Sequence, residues 1–159
     1  MFESNLLFMM KQILFNDKFC LIDNQIYSIF HSETERYVKI RWQDLRVGDL
    51  VHLSNNETVC ADIVVLKSSE PQGICYIETC DLDGETNLKR RNVVRGFNET
   101  PTNFSASKFI SKLEIDPPTT KLYRFHGAMI HPSGERVPVS SDNLLLRESR
   151  LKVILTNQH

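Results

Sequence analysis

Tyr37-Val38-Lys39-Ile40-Arg41-Trp42-Gln43-Asp44-Leu45-Arg46-Val47-Gly48-Asp49 is the stretch that decides the fold. From Tyr37 to Trp42 apolar and charged residues alternate, which is the period of a strand with one face buried and the other in water. Gln43 to Asp49 then reads as a turn, and a second strand over 50–53 leaves it.

Further short β-like runs lie on either side of the next turns, at 62–67, 74–78, 92–97, 109–115, 122–130 and 136–139. Asn55-Asn56, Pro71-Gln72-Gly73, Asp116-Pro117-Pro118 and Pro132-Ser133-Gly134 separate most of them. With no long amphipathic helix in between, the pattern predicts a mainly β domain, a sandwich, jelly roll or barrel with short helical turns, and not an α/β fold. Residues 98–108, rich in Asn, Thr, Ser and Pro, are expected to form an exposed loop. The first 35 residues are mixed, an apolar start followed by a stretch over 19–30 whose apolar residues follow neither a helical nor a strand period, so this region carries no assignment.

A chain of 159 residues is the size of one ordinary domain and can bury a core without staples. Its 41% apolar and 25% charged content is that of a globular protein, and 19 basic against 20 acidic side chains leave no net field to favour nucleic acid or anionic lipid. The apolar runs are too short to cross a bilayer, so no transmembrane span is expected. Met1-Phe2-Glu3-Ser4 opens acidic and Lys11 interrupts the first apolar patch, unlike a secretory signal, and a cytosolic setting is expected. Cys20, Cys60, Cys75 and Cys80 form no C-x-x-C pair and are expected to be buried free thiols, not a zinc site.

Asp81-Leu82-Asp83-Gly84-Glu85-Thr86-Asn87-Leu88-Lys89 gathers three carboxylates, a glycine, a hydroxyl and a cation into nine residues between two strand-like runs. Two readings stand side by side. Asp-Gly is a common hairpin signal, and a solvated turn accounts for the composition. Alternatively, Gly84 lets the backbone approach a tetrahedral phosphate, Glu85 aligns or deprotonates a water for in-line attack on phosphorus, and the Thr86 hydroxyl steadies that water or a phosphate oxygen. Neither Gly-x-Gly-x-x-Gly nor Gly-x-x-x-x-Gly-Lys-Ser/Thr occurs, so no standard nucleotide cradle is present in the sequence. Lys89-Arg90-Arg91 lacks interleaved aromatics and is expected to be a solvated face and not a nucleic-acid patch.

The run Ile77-Glu78-Thr79-Cys80-Asp81-Leu82-Asp83-Gly84-Glu85-Thr86-Asn87-Leu88-Lys89 resembles the signature of phospholipid-transporting P-type ATPases, where Asp-Gly-Glu-Thr replaces the Thr-Gly-Glu-Ser of ion pumps. Trp42 to Asp49, Ala61-Asp62 and Asn143-Leu144-Leu145-Leu146-Arg147 resemble flanking parts of the same domain, and Arg90-Arg91 with Val93 to Phe97 resembles the class V branch. The resemblance covers residues 36–147, leaving 1–35 and 148–159 unmatched. It implies a distorted jelly-roll actuator domain on the cytosolic face of an integral membrane protein. It further implies a catalytic loop of Asp83, Gly84, Glu85 and Thr86, supported by Asn87, Leu88 and Lys89.

In that family an aspartate on a separate phosphorylation domain takes a phosphoryl group from ATP with magnesium, and the actuator's glutamate, here Glu85, hydrolyses it. The implied partners are the phosphorylation and nucleotide-binding domains and membrane helices of the same pump, a possible accessory subunit, and a phospholipid substrate through the parent protein. This chain is expected to hold neither a cofactor nor a metal itself. Its sequence lacks the Asp-Lys-Thr-Gly-Thr phosphorylation loop. Cys60 stands where the family has proline, and Glu148 where it has glycine. The unmatched ends are expected of a fragment, a truncated gene model or a splice form. Two alternatives of other classes stand beside the pump domain: a regulatory module that binds a pump without turnover, and an autonomous phosphatase, for which a lone glutamate loop supplies too little stabilisation.

Overall fold

A strand with one buried face alternates; a strand buried on both faces reads as an unbroken apolar run, and Ile63-Val64-Val65-Leu66 is such a run. The computed structural model describes residues 6–10 by their backbone, together with 25–97, 106–117, 120–121 and 123–153. Its strands, in chain order, are β1 (Leu6–Met10), β2 (Ile26–His31), β3 (Arg36–Arg41), β4 (Leu50–Leu53), β5 (Ile63–Lys67) and β6 (Ile74–Glu78). After a single helical turn, α1 (Cys80–Asp83), come β7 (Lys89–Asn92), β8 (Lys112–Ile115), β9 (His126–Ile130), β10 (Arg136–Ser140), β11 (Leu144–Leu145) and β12 (Arg150–Lys152).

These strands form three sheets, ordered β11-β5-β1-β4-β2-β3, β10-β9-β8 and β12-β6-β7. Every strand pairing within them is antiparallel. The domain is therefore mainly β, as the spacing of its runs predicts, with short 3-10 turns at 42–44, 106–108 and 141–143.

The four residues that open β5 are fully buried, and they split by parity between two hydrophobic clusters. Ile63 and Val65 join Val51, Leu53 and Tyr27 of their own sheet and meet Cys75, Ile77 and Leu151 of the β12-β6-β7 sheet. Val64 and Leu66 join Leu50 and Leu144 and meet Met129, Val137 and Val139 of the β10-β9-β8 sheet. The large sheet is thus covered on both faces where β5 crosses it. Burial of each such side chain is worth about 1.5–3 kcal/mol relative to exposure.

The same two-sidedness explains why β2 shows no clean period. Tyr27 and Ile29 enter the first cluster while Phe30, on the opposite face, packs against the second, and Ile26 is left exposed. In β3, by contrast, Val38 and Ile40 turn inward and Lys39 and Arg41 outward, and Trp42 follows as a buried residue, as the alternation predicts.

Three expected strands are placed or sized differently. The run at 92–97 is a strand only at its first residue: β7 ends at Asn92, and Val93 and Val94 are buried but lead into a turn at Arg95-Gly96. The strand expected at 109–115 starts only at Lys112, and that at 122–130 only at His126; Leu122 lies outside the described residues. Apolar content marks burial, and buried residues beside a strand carry the same signal as residues within it. Of the expected loop at 98–108, residues 98–105 lie outside the described residues and 106–108 form a 3-10 turn.

Lys89-Arg90-Arg91 is not a solvated face. Arg91 is buried, its Nε donating to the Leu144 carbonyl at 2.7 Å, which ties β7 to the large sheet; only Arg90 of the three is exposed. A guanidinium with a backbone acceptor is a satisfied buried cation, which the sequence does not distinguish from a wet one.

Glu148 adopts φ of 67°, the left-handed region, while its N–H donates to the Val59 carbonyl at 2.9 Å. Glycine would relieve about 1–2 kcal/mol of strain, against about 0.5–1 kcal/mol for its freer unfolded chain. Glu148→Gly is therefore expected to raise the urea unfolding midpoint, corresponding to about 1 kcal/mol; a lowered midpoint would show that the Arg147 to Glu148 ion pair, 3.5 Å long, outweighs the strain.

Cys60 and Cys75 are buried free thiols as expected, and burial pushes both up to about 12. Cys80 is free but exposed, contrary to expectation, because it opens α1 at the surface and does not continue β6; Cys20 lies outside the described residues. Alkylation of the native chain followed by peptide mass mapping is expected to modify Cys80 and spare Cys60 and Cys75 until denaturant is added. Labelling of all three at one rate would contradict the two-sided core.

Candidate functional site

β6 and β7 pair with Ile77 opposite Lys89, so residues 79–88 form one wide connection at the end of a small sheet. Its first part is not the hairpin turn that Asp-Gly suggests. Thr79 is buried and its carbonyl accepts from Leu82 N at 2.8 Å and Asp83 N at 3.0 Å, starting the single turn of α1. Gly84 closes that turn: its N–H donates to the Cys80 carbonyl at 2.9 Å and its φ is 75°. A Cβ there would meet nothing within 4 Å, so glycine is required in this chain by conformation and not by crowding.

Asp83 sits at the centre of the loop. Its Oδ1 accepts from the Thr79 hydroxyl at 3.0 Å and from the Glu85 N–H at 3.0 Å. Its Oδ2 accepts from the Lys89 ammonium and from the Tyr123 hydroxyl. Lys89 also donates to the Tyr123 hydroxyl at 2.6 Å and pairs with Glu85 Oε2 at 2.9 Å.

Four donors on one carboxylate favour its charged form. Hydrogen bonds from Lys89 first, then from Tyr123, the Glu85 N–H and Thr79, hold the Asp83 carboxyl well below the usual carboxylate range. Burial works against the charge of Lys89, but its bonds to Asp83, Tyr123 and Glu85 outweigh that and raise it above the ordinary lysine value.

The tip beyond this anchor is open. The Glu85 side chain is 61% exposed, against 16% for Asp83 and 19% for Lys89. Thr86, Asn87 and Leu88 are exposed as well. An exposed carboxylate whose residue's N–H is pinned to a half-buried anchor can take a proton from a water arriving at the surface without the loop reorganising. Among the described residues no group of three or more His, Cys, Asp or Glu could hold a metal ion.

Thr79 and Tyr123 are part of the site, and the sequence alone assigns neither a role. Thr79 lies inside the quoted loop signature, so its spacing from Asp83 was available. Tyr123 lies 40 residues from Asp83, and nothing local to it announces the contact.

The other segments that carry the family resemblance meet elsewhere, at the rim of the large sheet. Trp42 Nε1 donates to the Cys60 carbonyl at 2.6 Å, the Arg147 guanidinium lies 5.1 Å from the Trp42 ring centre, and Arg147 N donates to Asp62 Oδ1 at 3.1 Å. The cation stacked on the indole and the carboxylate on the backbone fasten three distant stretches together.

Residues 26–98 match the family model of the P-type ATPase actuator domain. The chain is 47% identical over 124 residues to human phospholipid-transporting ATPase VA, covering 78% of this chain and 8% of that protein. It is 45% identical over 126 residues to human phospholipid-transporting ATPase VD, covering 79% and 9%. With yeast (Saccharomyces cerevisiae) phospholipid-transporting ATPase DRS2 the identity is 34% over 140 residues, covering 82% and 10%. The chain thus spans a tenth or less of the length of these relatives. No helix among the described residues is long and apolar enough to cross a membrane.

A carboxylate ionised more readily folded than unfolded adds stability that is fully present above its unfolded value, about 3.9, and is lost as pH falls through its folded value. Carbon NMR of the Asp83 carboxyl is expected to show no titration where an ordinary aspartate titrates, whereas in Lys89→Gln it moves up toward that range. An unchanged titration in Lys89→Gln would remove Lys89 as the main cause.

Proposed function

The chain belongs to the P-type ATPase actuator-domain family, and on that premise we propose that it serves a phospholipid-transporting pump by hydrolysing the pump's aspartyl-phosphate intermediate. Glu85 is the base in this reading. The observation that carries it is the contrast within one loop between a carboxylate anchored by four donors, Asp83, and a neighbour whose side chain is open to solvent, Glu85.

The chemistry follows from that contrast. The Glu85 carboxylate takes a proton from a water as its oxygen bonds to phosphorus; the phosphorus to acyl-oxygen bond breaks and the aspartate of the phosphorylation domain leaves as a carboxylate. Asp83 fixes the Glu85 backbone through the Glu85 N–H, Gly84 supplies the left-handed residue that reverses the chain, and the Thr86 hydroxyl lies next along the tip to steady water or a phosphate oxygen. Asn87 and Leu88 carry the chain back to Lys89, which pairs with both carboxylates. ATP, which with magnesium phosphorylates the aspartate, would be held by the other domains.

A glutamate on a domain separate from the phosphoenzyme allows water attack only after docking. That arrangement lets hydrolysis wait for the step in which, by analogy with what the relatives' names state, a phospholipid is moved. The phosphorylation and nucleotide-binding domains and membrane helices of the same pump are then the partners, and the cytosolic face of the membrane is the setting.

In a full-length pump carrying this domain, Glu85→Gln is expected to slow phosphoenzyme decay by about 10²-fold or more while leaving its formation from ATP unchanged. Decay at the wild-type rate would remove Glu85 as the base.

A further inference from the structure

Three of the four donors to Asp83 come from its own loop: Thr79, Glu85 and Lys89. The fourth, the Tyr123 hydroxyl, comes from the segment that leads into β9 and so from a different sheet. Two residues on, Phe125 is buried in the second hydrophobic cluster, which fixes the place from which Tyr123 reaches out. The small sheet that carries the loop and the sheet on the far side of the core are thereby joined through one phenol.

Donor stoichiometry gives that phenol a specific effect. An ammonium has three N–H groups, and Lys89 directs them at three oxygen partners, Asp83, Glu85 and Tyr123. Without the Tyr123 hydroxyl, Asp83 Oδ2 keeps Lys89 alone and Lys89 has one N–H to redirect. Its position between the two carboxylates is then less tightly set, and that of Glu85 with it. The Tyr123 ring, 4.5 Å from the ammonium, would remain after removal of the hydroxyl.

We infer that Tyr123 is a positioning residue for the dephosphorylation loop, acting through Asp83 and Lys89 to set the carboxylate of Glu85. This rests on Glu85 being the base. A hydroxyl on a side chain that is itself 43% exposed contributes little to global stability, so its effect is expected in the chemical step and not in folding.

The test is a double-mutant cycle on phosphoenzyme decay in a full-length pump carrying this domain, with Tyr123→Phe, Asp83→Asn and the pair, and Glu85→Gln beside them. Tyr123→Phe is expected to form phosphoenzyme at the wild-type rate and lose it about ten-fold more slowly, raising its steady-state level, which a merely misfolded pump would lower. The pair is expected to decay no more slowly than Asp83→Asn alone, because Tyr123 works through that carboxylate. Wild-type decay in Tyr123→Phe while Glu85→Gln is arrested would overturn this inference alone, as would effects of Tyr123→Phe and Asp83→Asn that simply multiply. Wild-type decay in Glu85→Gln would instead overturn the assignment of Glu85, and this inference with it.

Discussion

Burial of Ile63, Val64, Val65 and Leu66 on both faces of β5 is the constraint on which the rest of the domain depends. Each parity of that strand supplies the floor of a separate cluster, and each cluster is roofed by a separate three-stranded sheet. Among the described residues both small sheets bury their apolar side chains against the large sheet, the layer a three-stranded sheet needs for stability. The loop that carries Asp83 and Glu85 extends from β6, whose Cys75 and Ile77 rest on one face of the large sheet. Tyr123 precedes β9, whose Met129 rests on the other. The geometry of the site is therefore a consequence of a core that holds two sheets in fixed relation.

Within the loop, polar satisfaction plays the part that apolar burial plays beneath it. Asp83 is neither fully buried nor free, and its donors act as a hub: one helical turn, the Glu85 backbone, Lys89 and a distant tyrosine all end on it. A carboxylate so placed is suited to hold its neighbours, and Glu85, joined to it by one backbone hydrogen bond and tied to Lys89 by one ion pair, still presents its side chain to solvent. The loop thus sets a carboxylate held by four donors, Asp83, two positions from one that is mostly exposed, Glu85.

Much of the frame was legible because it obeys period two. Val38, Ile40 and Trp42 face inward as their alternation requires, and the turns containing Gly73 and Gly134 stand between strands. What stayed illegible has specific causes. Phe30 blurs the period of β2 because it packs against the second cluster while Tyr27 and Ile29 face the first, and Ile26 blurs it as an exposed apolar side chain. Val93 and Val94 are apolar through burial beside a strand, not inside one. Arg91 passes for a surface cation because the carbonyl that satisfies it belongs to Leu144. In the site, the loop from Asp81 to Lys89 stands out by composition and by its family resemblance, and the turn chemistry of Gly84 was visible without the knowledge that it caps a helix. Tyr123 could not be found from local pattern, since only the tertiary fold brings it across.

The central claim, that both small sheets depend on β5, is tested most directly by native-state hydrogen exchange resolved to single amides. The account predicts that amides of β5, of β6 and of β9 to β10 exchange through one opening, with the same free energy as global unfolding and the same denaturant dependence. Exchange of either small sheet through a far cheaper opening, with β5 still protected, would contradict it and show that sheet to be an independent appendage.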